Sequence, residues 1–124
     1  MPYDIAWEPN GVVWTFHGVL TGVETRQANL DIYGDSRFDG LRYQIVDLLH
    51  VERFAVTSDA LDESAALDEV ASFTNPRLVV AVVAAEEEAI SIAEMYQSAM
   101  KASCWEVQIF PSMGEARDWI YSRS

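Results

Sequence analysis

The side chains in this chain able to act as nucleophiles, bases or metal ligands are few, and they are not spaced for joint work. Two histidines, His17 and His50, stand too far apart in sequence to suggest a metal cluster. Neither belongs to a Ser/His/Asp site, because no Gly-x-Ser-x-Gly elbow is present to hold a serine on a sharp turn. Gly-x-Gly-x-x-Gly is missing, and so is a phosphate loop ending in Gly-Lys-Ser or Gly-Lys-Thr, so dinucleotide and nucleoside-triphosphate binding lose their usual support. The single cysteine, Cys104, has no partner for an internal disulfide and reads as a small buried apolar residue beside Trp105. The expectation is a protein without catalytic residues, cofactor or metal.

Acidic residues are plentiful but patterned as a solvated face. Asp59, Asp62, Glu63, Asp68 and Glu69 fall in one helical stretch, and Glu86, Glu87 and Glu88 open the next. Glutamates in a first turn are explained by the positive end of the helix dipole. Nothing in their spacing supplies the glycine and alternating oxygen ligands of a calcium loop. The hydroxyl pair Thr57 and Ser58 begins a helix after Val56, where a hydroxyl caps free backbone amides and contributes about 1 kcal/mol.

The elements that carry these residues are legible from periodicity. Tyr3, Ile5 and Trp7 alternate with polar or small residues, Pro9-Asn10-Gly11 turns the chain, and Val12, Trp14 and Phe16 alternate again, which predicts a hairpin. Thr21-Gly22-Val23-Glu24 is a capping box that opens a helix reaching about Tyr33. Three strand-then-helix units follow. The strands are expected at Arg42 to Leu48, Leu78 to Ala84 and Glu106 to Phe110, and the helices at Ser58 to Phe73, Glu86 to Ser103 and Met113 to Ser122. Parallel strands require connections of this length, so the units read as βαβ crossovers. Leu49 to Val56 fits neither period, and His50 is placed in a loop there. In the helix from Ser58, Leu61, Ala65, Ala66, Val70 and Phe73 are expected to face inward. Leu78 to Ala84 is apolar on both faces, as a covered central strand must be. The last helix starts at a second capping box, Ser112-Met113-Gly114-Glu115.

The prediction is therefore an α/β fold, with a mixed, largely parallel five-stranded sheet, helices packed on it, and the order β-β-α-β-α-β-α-β-α. At 124 residues one domain, 1–124, is expected. Eight basic residues against 20 acidic give a net charge of −12, and the only lysine is Lys101, which disfavours nucleic acid and anionic membrane surfaces. The longest apolar run, Leu78 to Ala85, falls well short of the roughly 20 residues of a membrane span. Met-Pro-Tyr-Asp-Ile at the start lacks the features of a secretion signal, so a cytoplasmic protein is expected.

Val107-Gln108-Ile109-Phe110-Pro111-Ser112-Met113-Gly114-Glu115-Ala116-Arg117-Asp118-Trp119-Ile120 resembles the ending of the SpoIIAA-like family, bacterial STAS/SEC14-type domains related in fold to anti-sigma-factor antagonists. Leu78 to Ala84 resembles the family's central strand, and Ile45-Val46-Asp47-Leu48 its strand ending in aspartate. The resemblance implies a regulatory or protein-interaction domain. In the antagonists a serine or threonine at the start of the helix after the third strand is phosphorylated, and the matching positions are Thr57 and Ser58. The antagonists carry an Asp before that pair and a Gly after it, where this chain has Val56 and Asp59. The SEC14-type branch implies instead an apolar cleft for a lipid-like ligand, with Trp14, Phe54 and Met95 as candidate lining. Exposed apolar surface near Tyr3 to Trp7, Ile90 and Met95 would be covered in a two-fold homodimer.

Overall fold

The computed structural model describes residues 3–123; Met1, Pro2 and Ser124, including the first two residues of the segment read for a secretion signal, lie outside the described residues. Strands β1 (Tyr3–Glu8) and β2 (Gly11–Thr21) form the hairpin, and helix α1 (Gly22–Tyr33) and a 3-10 turn (Ser36–Gly40) lead to β3 (Tyr43–Ala55). Then come α2 (Ser58–Thr74), β4 (Val79–Val83), α3 (Glu87–Ala99), β5 (Glu106–Phe110) and α4 (Met113–Arg123). The sheet runs β1-β2-β3-β4-β5, antiparallel at the hairpin and parallel at the other three pairings. This is the predicted architecture.

The two faces of the sheet are covered unequally. Trp14, Phe16, Val80 and Val82 pack with Ala28 and Ile32 of α1, Ala65 of α2, and Ala89 and Ala93 of α3. On the opposite face Val13, Ile45, Ala81 and Val83 pack with Ala116 and Ile120 of α4, with Met113 and Trp119 of that helix packed against them. The hydroxyl half of both capping boxes forms: Thr21 Oγ1 accepts from the Glu24 amide at 3.3 Å and Ser112 Oγ from the Glu115 amide at 3.2 Å, while each glutamate carboxylate accepts from the same hydroxyl. Gly11 is needed for a close approach. A Cβ there would lie 2.1 Å from the Tyr43 ring, which crosses Gly11 so that the Tyr43 hydroxyl donates to Glu8. Glu8 in turn pairs with Arg117 of α4 at 2.8 Å and ties the hairpin to the last helix.

The undecided stretch Leu49 to Val56 is mostly strand. Its pairing with β2 slips twice, between Thr15 and His17 and between Gly18 and Val19, and Gly18 takes a left-handed φ of 71° at the second irregularity. Each slip inserts one extra residue in β3, so Leu48, Val51 and Phe54 return to the helix-covered face at intervals of three rather than two. His50 therefore belongs to a strand, not a loop. Beyond Asp47, β3 has no partner in β4, and the paired ends of β2 and β3 run on together to the starts of α1 and α2.

Three local expectations are corrected. Cys104 is exposed, because Met100 and Trp105 take the buried places at the two ends of the turn after α3. For the same reason α3 stops at Ala99, four residues before Ser103. Val70 and Phe73 are 67% and 73% exposed, since α2 turns Leu61, Ser64, Ala65, Asp68 and Ser72 inward, and Ala66 is exposed with them.

Val80 is 1% exposed and lies between Gln44 and Val107 in the sheet. Val80→Asp would bury a carboxyl with no designed partner, at a cost of about 4 kcal/mol or more, a large share of the stability of a small domain. The expected outcome is loss of the cooperative urea transition followed by circular dichroism; a soluble variant with a normal transition would show that the site is not buried on both sides.

Candidate functional site

Between the sheet and the three helices on its covered face lies a partly open, mainly apolar cavity of about 90 Å³. Its floor is the sheet: Trp14, Phe16 and Leu20 from β2, Gln44, Val46 and Leu48 from β3, and Val82 from β4. The walls are Thr25 and Asn29 of α1, Leu61, Ser64 and Asp68 of α2, and Ile92, Ala93 and Tyr96 of α3, with Val56 at the strand-to-helix junction. Strand alternation explains the floor, since Gln44, Val46 and Leu48 share one face, as do Trp14 and Phe16. Small residues on the helices, Ala93 and Ser64, leave the space that larger ones would fill.

Polar groups stand at defined places in this apolar shell. Asp68 is 4% exposed and accepts hydrogen bonds from two tyrosine hydroxyls, Tyr33 at the end of α1 on Oδ1 and Tyr96 of α3 on Oδ2. One carboxyl thus joins three helices. Burial raises its pKa to about 6, overriding the two hydrogen bonds, which act to lower it. Burial and the neighbouring carboxylate push both tyrosine hydroxyls upward, so they remain protonated donors. Among the described residues four buried side-chain polar atoms have no hydrogen-bond partner, and two of them, Trp14 Nε1 and Gln44 Nε2, belong to the cavity floor.

The residues singled out in the sequence are distributed around this site. Trp14 is in the floor, 4% exposed. Phe54 is half-buried against the main core but does not line the cavity. Met95 is 41% exposed and lines a separate outer groove between α2 and α3, with Leu61, Asp62 and Ser98. The difference from the expected trio has a geometric cause: Phe54 lies past the slips in β3, and Met95 points away from the sheet while Ala93 and Tyr96 point toward it. Thr57 is the N-cap of α2, its hydroxyl accepting from the Ala60 amide at 3.1 Å, and Ser58 is the first helical residue; both are exposed. Their helix start borders a shallow groove with Thr21 and Gly22 at the start of α1. Gln44, Asp68 and Tyr96 escaped sequence reading. A glutamine and an aspartate inside otherwise apolar inward patterns were the available signal.

His17 and His50 are cross-strand neighbours, each beside its own carboxylate, Asp4 at 3.3 Å and Asp47 at 4.0 Å. Among the described residues no group of three or more His, Cys, Asp or Glu side chains is placed to hold a metal ion. No helix among them is long and apolar enough to cross a membrane.

The buried carboxyl makes a pH prediction. In the unfolded chain Asp68 ionises near 3.9, whereas the folded protein keeps the proton up to about pH 6. Across that interval the folded state binds more protons, so stability falls as pH rises from about 4 to about 6, by at most about 3 kcal/mol, and this contribution is level above. Asp68→Asn should flatten the slope, and subtracting its urea-unfolding free energies from those of the wild type at pH 4, 5, 6 and 7 isolates it. Parallel profiles would mean that the carboxyl titrates as an exposed one does.

No protein-family model matches the sequence, and no curated protein matches it either. Solved structures do. The Bacillus cell fate determinant SpoIIAA in its phosphorylated form superposes with a TM-score of 0.59 at 12% identity, covering 95% of this chain and 98% of that one. An anti-sigma factor antagonist from Mycobacterium paratuberculosis gives 0.58 at 16% identity, covering 96% and 92%. An uncharacterised protein from Shewanella loihica gives 0.56 at 16% identity, covering 95% and 91%, and is described as having a SpoIIAA-like fold. At these identities the likeness is one of architecture over nearly the whole length: the chain has the SpoIIAA-like fold.

Proposed function

We propose that this chain is a non-catalytic, cytoplasmic regulatory domain that takes a small, largely apolar molecule into the cavity beneath α1, α2 and α3 and acts on a protein partner through α2. The partly open, mainly apolar cavity, with Asn29, Ser64 and Asp68 among its lining residues, carries the reading. Ligand sites are concave, mainly apolar and furnished with a few placed polar groups, and this one matches that description. The absence of a nucleophile–base pair in the sequence supports a role in binding rather than catalysis. The protein should leave the cell carrying a substoichiometric apolar molecule, seen as added mass in native mass spectrometry and lost on organic extraction. If native and denatured masses agree and no lipophilic dye binds with micromolar affinity, the reading fails.

The partner side rests on the outer face of α2. Val70 and Phe73 expose apolar surface near one end of a helix that carries Asp59, Asp62 and Glu63 near the other, which suits a partner with an apolar anchor and positive charge. The likeness to an anti-sigma factor antagonist and to a phosphorylated SpoIIAA supports a protein partner, and Ser58 or Thr57 is the place for a phosphate. Free amides at the start of α2 favour that phosphate, and the three nearby acidic residues oppose it. Homodimerisation belongs to the same proposal, with Val70 and Phe73 as the strongest exposed apolar pair. Its high like charge makes pairing tighten with salt. Light scattering should therefore report a mass above 13.9 kDa that rises with salt and returns to the monomer in Phe73→Ser; a salt-independent monomeric mass excludes the dimer.

A further inference from the structure

We infer that the outer groove between α2 and α3 docks a cationic amphipathic helix of a partner protein, which lays an apolar side chain over Leu61 and Met95 and sets Lys or Arg beside Asp62 and Glu94. This names the partner chemistry of the protein-interaction reading above and rests on that reading. The groove faces solvent and measures about 580 Å³, within the ~300–1,000 Å³ of ligand clefts. Its walls can be reached from outside: Met95 is 41% exposed, and Asp62, Ser91, Glu94 and Ser98 are exposed around the more deeply set Leu61.

The sequence of α3 makes the trough. Ser91, Met95 and Ser98 stand at i, i+4 and i+7 and so share one side of the helix, with Glu94 beside them. The two serines keep that side low. The unbranched thioether of Met95 between them offers an apolar surface that adapts to what is laid on it. Both walls are helices, whose backbone groups are bonded internally, so no strand edge is available for an extended segment to pair with. Recognition there runs through side chains, which is the helix-in-groove mode, with apolar anchors at i, i+3, i+4 and i+7 of the bound helix.

Charge sets the sign of the partner. The chain carries −12 overall, and no Lys, Arg or His lines the groove. Arg26, Arg37, Arg117 and Arg123 are each engaged with a carboxylate elsewhere, Arg26 with Glu63, the neighbour of Asp62, at 3.1 Å. Among the described residues Asp62 and Glu94 have no ion-pair partner. One carboxylate on each wall thus flanks the apolar centre, a pattern that cations on either side of an apolar anchor complement. A second copy of this chain brings like charge to the groove and is the wrong occupant there, as is an anionic membrane surface.

The test uses the intact chain and a labelled amphipathic peptide of about 14 residues, roughly 21 Å of helix, with Leu along one stripe and Arg on both flanks. A scrambled peptide of the same composition and a version with Glu for Arg are the comparisons. Followed by fluorescence anisotropy, the Arg peptide should bind at least tenfold more tightly than the scrambled one, and the Glu version should not bind. The Met95 methyl resonance, identified by its loss in Met95→Leu, should shift on titration. Removing both groove charges in Asp62→Asn with Glu94→Gln should weaken binding about fivefold, as two exposed ion pairs would. Met95→Gln should weaken it with no change of charge. Glu52→Gln with Asp118→Asn, which removes the same charge from other surfaces, should change it less than twofold. All these positions are exposed, so the fold tolerates the changes. Equal losses in the two double variants, or equal affinity for the ordered and scrambled peptides, would reduce the binding to general attraction and overturn the groove. Loss confined to Phe73→Ser places the partner on the outer face of α2, overturning the groove but keeping the partner reading. No binding of the Arg peptide even at low salt overturns both.

Discussion

The covered side of this protein is organised around a single buried carboxyl. Asp68 receives the hydroxyls of Tyr33 and Tyr96, so the end of α1, the middle of α2 and the later part of α3 are tied to one another at one point. The tie continues through aromatic rings. Tyr33 meets Phe38 edge-on at 5.1 Å, and Phe38 lies 6.3 Å from Trp105. Trp105 donates to the Asn75 carbonyl at 2.7 Å, and the Asn75 side chain holds the Phe38 and Leu41 carbonyls. These directional bonds add to the apolar packing that holds the helices on the sheet.

That arrangement explains how a cavity survives in so small a domain. Interiors normally close to crystal-like density, and space left in them costs stability. Here Ala93, Ser64 and the glutamine at Gln44 occupy positions where larger apolar side chains would close the gap. A buried carboxyl with a raised pKa is itself an energetic burden, offset by the two tyrosine hydroxyls that donate to it and that an apolar residue in its place would leave unpaired. The polar groups and the space between them do not serve maximal stability.

The sequence disclosed the architecture because its signals are local. Capping boxes at Thr21 and Ser112, the Asn10-Gly11 turn and the doubly apolar Leu78 to Ala84 depend on neighbouring residues only, and each element formed where its pattern lies. The second half of β3 was hidden by its slips, which convert a period of two into a period of three and imitate no regular element. The inward direction of α2 was misread for a related reason: Val70 and Phe73 are apolar but face out, while Ser64, Asp68 and Ser72 are polar but face in. Hydrophobicity reports burial only when buried groups lack partners. Of the site, Trp14 was legible as an inward strand aromatic; Asp68 was not, because its burial depends on two tyrosines 35 and 28 residues away.

The inversion in α2 also connects the inside of the molecule to its outside. Leu61, Ser64 and Asp68 form cavity wall, Thr57 and Ser58 mark the exposed start of the same helix, and Val70 and Phe73 lie on its outer surface. A rigid helix cannot shift its inner face without carrying its outer face along. Because Asp68 anchors α2 to α1 and α3 near the cavity, an occupant that pressed on this wall would turn the helix about that anchor and displace its ends most. Those ends hold the hydroxyl pair and the exposed phenylalanine. On the proposed function, a ligand inside and a partner outside would be coupled through this one helix, in either direction, since any free energy by which the ligand favours one placement of α2 is the same by which the partner favours the ligand.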